Sequence, residues 1–331
     1  MLVHLESMAA SAKNNGRKRK FPLLFLGIDG GGTKTNAAIM NEEKTILAEG
    51  ESGPSNPLRV GVETAVTNIL KATEDACDRG GLVITDISAA TLGLAGVRRM
   101  DLRQRVKDSF YKRLNIRDTT VVTDAEIALF GTTLGKPGLV VVAGTGSICL
   151  GRNEKGETSI SGGWGPLAGD EGGGVGIAQA ALHTVAKASD GRGRPTALSA
   201  RAAEYFRASG PDNLIVAIYS PQVDNSRIAG FARLVVETAL DGDAAARSIL
   251  IDAGSELGVA ACAVIKKLGL GHSKIPVGCV GSVFKAGKLL TKPMLEVIRK
   301  CAPQAHLTKP QMPPSHAAAT MALRSVKRTT D

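Results

Sequence analysis

Aromatic residues are scarce in this chain, where they make up 3% of 331 residues and include one tryptophan. Proteins that bind single-stranded nucleic acid stack bases on such side chains, so this class is not expected. The five cysteines form no Cys-x-x-Cys pair, which argues against a zinc site or a disulfide framework and favours small apolar residues in the interior. No apolar run approaches the ~20 residues that span a bilayer, and no signal peptide is recognised. The sequence predicts a cytoplasmic protein that binds no membrane.

The rest of the composition is that of an ordinary globular protein, with 43% hydrophobic and 22% charged residues. The length allows two domains. The net charge of +10 is partly concentrated between Lys13 and Lys20. Residues 1–21 are therefore predicted to form a disordered basic tail, with a nuclear-localisation or nucleic-acid arm as the alternative.

One glycine-rich stretch organises the chain. An apolar run over 23–28 reaches Asp29, then three glycines, then two threonines around a lysine, then a second apolar run. This order predicts strand, tight turn, strand, and the helix that a P-loop or dinucleotide motif needs is missing. Glycine permits positive φ and close approach, so the turn's N–H groups could surround a polyphosphate, although a plain hairpin is the alternative. The residues assigned to the phosphates are Gly30, Gly31, Gly32, Thr33, Lys34 and Thr35, with Asp29 assigned to magnesium through water.

The chain then continues as an antiparallel meander followed by alternating strands and helices. Asp124 starts a helix directly after the predicted strand 119–123, at a carboxyl edge where open α/β sheets place their ligands. It is the candidate base for a hydroxyl proton, and a helix N-cap is the alternative. Residues 138–149 repeat the opening pattern with Gly144-Thr-Gly-Ser147 as the second turn. Two such units would place two glycine turns across a cleft.

Three further residues suit a sugar. Trp164 lies among glycines rather than in a periodic apolar run, and a flat ring beside a carboxylate is typical of sugar sites. Asp170 is the carboxylate assigned to a sugar hydroxyl, with a helix N-cap region as the alternative. Asn56 offers a rigid loop amide, and a turn-forming Asn is the alternative.

Four motifs in this order resemble the N-acetylglucosamine kinases of the BadF/BadG/BcrA/BcrD ATPase family, within the actin, hexokinase and Hsp70 superfamily. They are Ile28-Asp-Gly-Gly-Gly-Thr-Lys-Thr35, Gly144-Thr-Gly-Ser147, Gly162-Gly-Trp-Gly165 and Gly169-Asp-Glu-Gly172.

The resemblance implies an α/β fold of two actin-like, ribonuclease H-like domains, each a mixed five-stranded sheet flanked by helices, with a cleft between them. The N-terminal domain would cover 22–124 and be rejoined by a C-terminal helix at 312–326. The C-terminal domain would cover 125–311 and contain a helical insertion. The implied enzyme is a sugar kinase, usually dimeric, that uses ATP and Mg²⁺ to phosphorylate N-acetylglucosamine. Asp124 would be the base.

Other roles follow from the same resemblance. Thr33, Thr145, Gly281 and Ser282 match positions that contact the nucleotide. The positions that match sugar contacts are Asn56, Asp124, Thr145, Gly146, Gly163, Trp164 and Asp170. One departure bears on the substrate: Ile148 stands where animal members have a sugar-contacting Asn. Glucosamine or N-acetylmuramic acid is thus an alternative substrate, and a non-kinase ATPase activator of the same family is an alternative function. A sugar-sensing repressor is discounted because no helix-turn-helix segment precedes the first strand.

Overall fold

The computed structural model describes residues 23–210 and 213–328, so the predicted basic tail lies outside the described residues. In the described chain, ten strands form two separate five-stranded sheets. The strands are Leu24–Gly30 (β1), Thr35–Met40 (β2), Ile46–Ser52 (β3), Ile87–Leu94 (β4), Asp118–Thr123 (β5), Gly138–Ala143 (β6), Ser147–Arg152 (β7), Thr158–Gly162 (β8), Pro276–Val280 (β9) and His306–Thr308 (β10).

Helices cover both faces of each sheet. They are Pro57–Val60 (α1), Val62–Gly80 (α2), Met100–Leu114 (α3), Asp124–Thr133 (α4), Gly174–Ser189 (α5), Leu198–Phe206 (α6), Leu214–Ile218 (α7), Asn225–Leu240 (α8), Ala244–Leu268 (α9), Lys288–Cys301 (α10) and Pro314–Arg328 (α11).

The two sheets share one topology. The first has the order β3-β2-β1-β4-β5 and the second, read in the matching direction, has β8-β7-β6-β9-β10. In both, the first three strands along the chain are antiparallel and the last two run parallel to the central strand. The predicted α/β fold with two mixed five-stranded sheets is confirmed, and so is the prediction that the second unit repeats the first.

The register of the first sheet aligns the ends of its parallel strands. Gly30 at the end of β1 is paired with Leu94 at the end of β4, and Leu94 is paired with Thr123 at the end of β5. The glycine turn and the residue after β5 therefore leave the sheet at the same edge, which is where ligands bind in such sheets.

Each sheet buries one face against a large helical layer. The first packs β1 and β2 against α2 and α3, in a core that includes Leu26, Ile39, Ile69 and Phe110. The second packs β6 and β7 against α5, α8, α9 and α10, in the largest cluster of buried side chains. Helix α4 starts at the end of β5 but packs on the second sheet, through Ala125, Ala128 and Leu129. It directly links the half of the molecule built on the first sheet to the half built on the second.

The last helix packs on the first sheet. Phe25, Ala89, Ala319 and Leu323 share a buried cluster that joins β1 and β4 to α11. The approach is close, because a Cβ added at Gly27 would lie 2.2 Å from the amide nitrogen of Ala319. Glycine is therefore required at position 27 for α11 to reach β1.

Some short elements, among them the single-turn α1, were not predicted. Strand β8, which pairs with β7, and the five-residue α7 have only weak hydrophobic periodicity, and their burial depends on neighbours that are distant in sequence.

One prediction about cysteine is wrong. Cys262 on α9 and Cys301 at the end of α10 form a disulfide, although they are 39 residues apart and in no motif. Cys77 and Cys149 are buried and unpaired, as predicted for small apolar residues, and Cys279 is partly buried. The pairing is produced by the packing of α9 on α10, which Cys spacing alone does not reveal.

Helix α9 has the length and hydropathy of a membrane span among the described residues. Half of its most apolar 18-residue window is buried inside the fold. Leu250, Leu257, Ala261 and Ile265 belong to the core of the second half. A central helix of a packed domain accounts for these properties.

Candidate active site

The first glycine turn exposes unpaired backbone donors. The amides of Gly32, Thr33 and Lys34 donate to no acceptor in the described part of the chain, whereas the amide of Gly31 donates to the carbonyl of Lys34 at 2.9 Å. Ser55 N and Asn56 N both donate to Gly31 O, which fixes the turn against the following loop. Three free N–H groups in a row form the kind of concavity that binds an anion.

Two reasons were predicted for the glycines in this turn, positive φ and close approach, and the structure supports the second. None of Gly30, Gly31 and Gly32 has positive φ. A Cβ at Gly30 would lie 2.1 Å from Ser55 Oγ, and one at Gly32 would lie 2.8 Å from the Arg59 guanidinium. At Gly31 the nearest atom would be 3.7 Å away. Gly30 is thus needed for close packing against Ser55, Gly32 lets the Arg59 guanidinium lie on the turn, and Gly31 leaves open space.

Two predicted phosphate contacts are engaged elsewhere. Thr35 is fully buried, and its hydroxyl donates to Gly53 O at 2.6 Å and lies 2.7 Å from Ser55 Oγ. The prediction for its hydroxyl is wrong, because strand β2 turns that side chain into the sheet. The Lys34 ammonium pairs with Glu51 on β3 at 2.7 Å, where both side chains are more than half exposed. Thr33 is exposed at the turn.

Asp29 offers one oxygen-rich ligand beside the turn. Its carboxylate accepts from Asn36 Nδ2 at 3.4 Å, and burial raises its pKa above the ordinary value. No group of three or more His, Cys, Asp or Glu residues is placed to hold a metal within the described ranges. A single carboxylate fits Mg²⁺, which keeps several waters and is bound largely by substrate phosphates.

Asp124 is held in place by a capping arrangement around its neighbours. Thr123 Oγ1 accepts from Glu126 N at 3.2 Å, and Glu126 Oε2 accepts from Thr123 N at 2.7 Å, which is a complete capping box. Arg103 Nη2 also binds Glu126, at 2.8 Å. The N-cap of α4 is therefore Thr123, and the alternative role of Asp124 as the cap is wrong. Asp124 Oδ1 accepts from the amide of Ala125 at 2.9 Å.

The Asp124 carboxyl has an unusual affinity for protons. Burial is the main cause, and it raises the pKa of Asp124 to about 6 against an opposing hydrogen bond from the Ala125 amide. The negative charge of Asp29 raises it further. Asp29 and Asp124 lie at the same edge of the first sheet, at the ends of β1 and β5. A carboxylate with a pKa just below neutrality is largely ionised at pH 7 yet basic enough to accept a proton, which suits a general base.

The second glycine turn and the long glycine-rich loop form one structure. Gly174 N donates to Gly144 O at 2.8 Å, and Val175 N donates to Thr145 O at 3.0 Å. A Cβ at Gly146 would lie 2.1 Å from Asp170 Oδ2, so only glycine allows the carboxylate to rest on the turn. Thr145 is exposed.

Asp170 adopts an uncommon backbone conformation. Its φ is +63°, which is rare for a non-glycine residue and typical of functional sites. It is 7% exposed, and its Oδ1 accepts from Gly165 N at 3.2 Å. Burial raises its pKa above the ordinary value. The cap of α5 is Gly173 rather than Asp170 or Glu171, so the N-cap alternative for this pair is wrong.

Trp164 and Gly163 lie in the same glycine-rich loop as Asp170. The Trp164 ring is 70% exposed, with the Arg98 guanidinium 5.4 Å from its centroid. A Cβ at Gly163 would lie 2.8 Å from Ile148 Cδ1. Ile148 in turn packs on the cluster that contains Ala125, the residue after Asp124. The ring is thus available to a ligand, and an apolar Ile148 separates Gly163 from α4.

Asn56 has the local structural role that was given as the alternative, and its side chain keeps a free donor. It is the N-cap of α1, where its Oδ1 accepts from Leu58 N at 3.0 Å. Its amide also lies beside Gly96, because a Cβ there would meet Oδ1 at 2.2 Å. The Nδ2 group has no partner within the described residues and is the donor that a ligand could use.

Gly281 and Ser282 follow β9 beside the second turn. Gly281 has φ +117°, and a Cβ there would lie 2.2 Å from Ala143 O. Ser282 is exposed. Gly281 and Gln311 are among the residues that line a cavity of about 460 Å³ between β9 and the segment before α11. The pair therefore borders the second glycine turn, as a nucleotide contact would require.

Contacts between the two halves connect both turns to helix α8. Arg59, at the first turn, donates to Ser226 Oγ at 2.8 Å and to Asp224 Oδ2 at 3.0 Å, at the start of α8. The next turn of α8 carries Ala229, which lies against Gly174 beside the second glycine turn. The sequence did not indicate Arg59 or Arg98, because no motif distinguishes them among 41 Lys and Arg residues.

Comparisons with known proteins identify similar chains. Residues 26–320 match the family model of the BadF/BadG/BcrA/BcrD ATPase family. The chain is 33% identical over 260 residues to an N-acetylmuramic acid/N-acetylglucosamine kinase from Clostridium acetobutylicum, covering 78% of this chain and 85% of that one. It is also 33% identical over 315 residues to N-acetyl-D-glucosamine kinase from Dictyostelium discoideum, covering 92% and 99%.

A solved structure extends the similarity to the fold. The crystal structure of a provisionally named N-acetylglucosamine kinase from Chromobacterium violaceum matches with a TM-score of 0.76 and 25% identity, covering 91% of this chain and 99% of that one. The family match spans both sheets and all four motifs. This chain belongs to the BadF/BadG/BcrA/BcrD ATPase family.

Proposed function

We propose that this protein transfers the γ-phosphoryl group of ATP to an amino sugar, with N-acetylglucosamine and its O6 hydroxyl as the first choice. One observation carries the proposal. Asp124 follows β5 at the same edge of the first sheet where the turn with three free amides follows β1. The negative charge of Asp29, which precedes that turn, also raises the pKa of Asp124. A base and a phosphate cradle on one edge are what phosphoryl transfer to a hydroxyl needs.

The reaction follows from these positions. The sugar hydroxyl loses its proton to Asp124 while its oxygen forms a bond to the γ-phosphorus. The bond from that phosphorus to the bridging β–γ oxygen breaks, and its electron pair stays on ADP. Asp124 Oδ1 is bound to the Ala125 amide, so we assign proton acceptance to Oδ2. The remaining catalysis is positioning and charge stabilisation, to which the amides of the first turn contribute.

Asp29 is the residue that would hold Mg²⁺ in this scheme. When bound, the ion supplies positive charge to the phosphate oxygens. We assign Thr145, Gly281 and Ser282, at and beside the second glycine turn, to the nucleotide, together with Gly30, Gly31, Gly32 and Thr33.

The sugar is assigned to the surface formed by Trp164, Asp170 and Gly146, with Asn56 reaching from the first half. An exposed indole face packs on sugar C–H groups while a buried carboxylate accepts hydrogen bonds from sugar hydroxyls. The named activities of the relatives include N-acetylglucosamine, N-acetylmuramic acid and glucosamine kinases. Glucosamine and N-acetylmuramic acid therefore remain alternative substrates of the same site. We also propose a homodimer located in the cytoplasm.

The test is a coupled assay of ADP release with N-acetylglucosamine, glucosamine, N-acetylmuramic acid, N-acetylmannosamine and glucose. We expect release with at least one amino sugar and a loss of about 10²–10⁴-fold in Asp124→Ala, with ATP binding retained. The position of the phosphate on the product then identifies the acceptor hydroxyl. No release with any amino sugar, or near-normal turnover by the variant, would contradict the proposal.

A further inference from the structure

Arg59 contacts both halves of the molecule at the first glycine turn. Its Nη1 lies 3.4 Å from Gly32 O and donates to Ser226 Oγ at 2.8 Å. Its Nη2 pairs with Asp224 Oδ2 at 3.0 Å. The contacts to Gly32 and to Ser226 join positions that are 27 and 167 residues distant from Arg59 in sequence. The side chain therefore bridges the two halves beside the first glycine turn.

The local sequence explains why the arginine can reach this place. Arg59 lies in the single turn of α1, which Asn56 caps and Pro57 starts. The backbone N–H of Asn56 donates to Gly31 O, so the start of α1 is fixed to the first glycine turn. Gly32 lacks a Cβ that would lie 2.8 Å from Arg59 Nη1. The absence of a side chain at position 32 lets the guanidinium rest directly on the turn.

The guanidinium also has donors to spare. It carries five N–H groups, of which the contacts to Gly32, Ser226 and Asp224 use three. The predicted cation of the turn, Lys34, is instead paired with Glu51. Arg59 is thus the guanidinium that touches the turn, and its planar fork suits phosphate oxygens better than an ammonium does.

We propose that Arg59 binds the terminal phosphates of the nucleotide, and that its contacts to Asp224 and Ser226 hold the two halves together around them. The inference builds on the proposed function, because it assigns the cation of the same phosphate site. Asp224 has a second task that fixes it, since its Oδ1 accepts from Arg227 N at 2.8 Å as the N-cap of α8. The carboxylate that orients Arg59 is therefore itself anchored to the second half.

The experiment is a binding series with AMP, ADP and a non-hydrolysable ATP analogue, measured by calorimetry on the wild type, Arg59→Ala and Arg59→Lys. Arg233→Ala is the matched control, because Arg233 lies on α8 in an exposed pair with Glu237. We expect Arg59→Ala to weaken the ATP analogue about 10- to 100-fold and AMP less than about twofold, as for loss of a hydrogen bond to a charged group. Arg59→Lys should recover part of the affinity, and the control should match the wild type.

Thermal melting of each variant separates binding from folding. Equal losses of affinity for AMP and the ATP analogue would show that Arg59 only supports the structure, which would overturn the inference. Unchanged affinity for the ATP analogue would overturn it as well. The binding series needs no sugar, so it tests Arg59 even if the wild type phosphorylates none of the sugars in the ADP-release assay. That outcome would refute the proposed function alone.

Discussion

Asparagine in place of Asp124 is expected to stabilise the fold while abolishing catalysis. The pKa of Asp124 is raised from 3.8 to about 6, chiefly by burial. A carboxyl with a raised folded-state pKa binds its proton more tightly when folded than when unfolded. Its contribution to stability is therefore fully present below pH 3.8 and is lost as the pH rises through about 6. The asparagine side chain carries no charge and avoids this loss.

The magnitude follows from the two pKa values. The full cost of ionising Asp124 in the folded state is about 3 kcal/mol at high pH. About 1.4 kcal/mol of this loss falls between pH 5 and pH 8, since the unfolded carboxyl is already ionised at pH 5. The stability advantage of Asp124→Asn over the wild type should therefore increase by about that amount across this interval. Natural active sites often trade stability for function in this way.

Urea unfolding of the wild type and Asp124→Asn at pH 5, 6, 7 and 8 measures the difference directly. The control is Asp118→Asn, which removes an exposed carboxylate from the same strand that leads to Asp124. The difference in free energy of unfolding between this control and the wild type should stay constant from pH 5 to pH 8. An Asp124→Asn advantage that is also constant, or that shrinks as the pH rises, would refute the reasoning that burial holds this carboxyl near pH 6.

Further variants test the packing and the ligand sites separately. Gly27→Ala should lower the melting temperature by several degrees, because its Cβ collides with the backbone of α11. Gly31→Ala should leave the melting temperature nearly unchanged but raise the KM for ATP, since that Cβ enters open space at the turn. Trp164 is the sole tryptophan, so its emission should change when the sugar binds and stay constant with sugars that are not phosphorylated. Under denaturing, non-reducing conditions three of the five cysteines should react with a thiol reagent, and all five after reduction; five before reduction would exclude the Cys262–Cys301 bond.

The local parts of the fold could be predicted from sequence. The apolar run before Asp29 is continuous, as is typical of a strand buried on both faces, and strand β1 forms there with its antiparallel partner after the glycine turn. Helix α9 has the bounds that its periodicity predicts, 244–268, since Asp243 caps its start and Gly269 ends it in the left-handed conformation. Such elements depend on their own residues.

The predictions that failed depend on contacts between distant segments. Thr35 was assigned to phosphate by its position in the motif, but the pleat of β2 turns its side chain toward Ser55. Arg59 was overlooked because its importance comes from Asp224, which is 165 residues further along the chain. The disulfide between Cys262 and Cys301 arises from helix packing in the same way. Propensity and periodicity carry no information on such pairings.

The duplicated topology also explains why the two turns have different chemistry. In the first unit, Asp29 and Asn36 are cross-strand partners at the start of the turn. The pair in the same position of the second unit is Val142 and Ile148, and that turn is one residue shorter. One copy therefore carries a carboxylate and an amide at this position, and the other carries apolar side chains that pack against the cluster formed by α4 and the second sheet. We infer that the two equivalent turns diverged so that the polar copy faces the phosphates and magnesium, while the second copy, on which the Asp170 carboxylate rests, offers Thr145 to the nucleotide and Gly146 to the sugar.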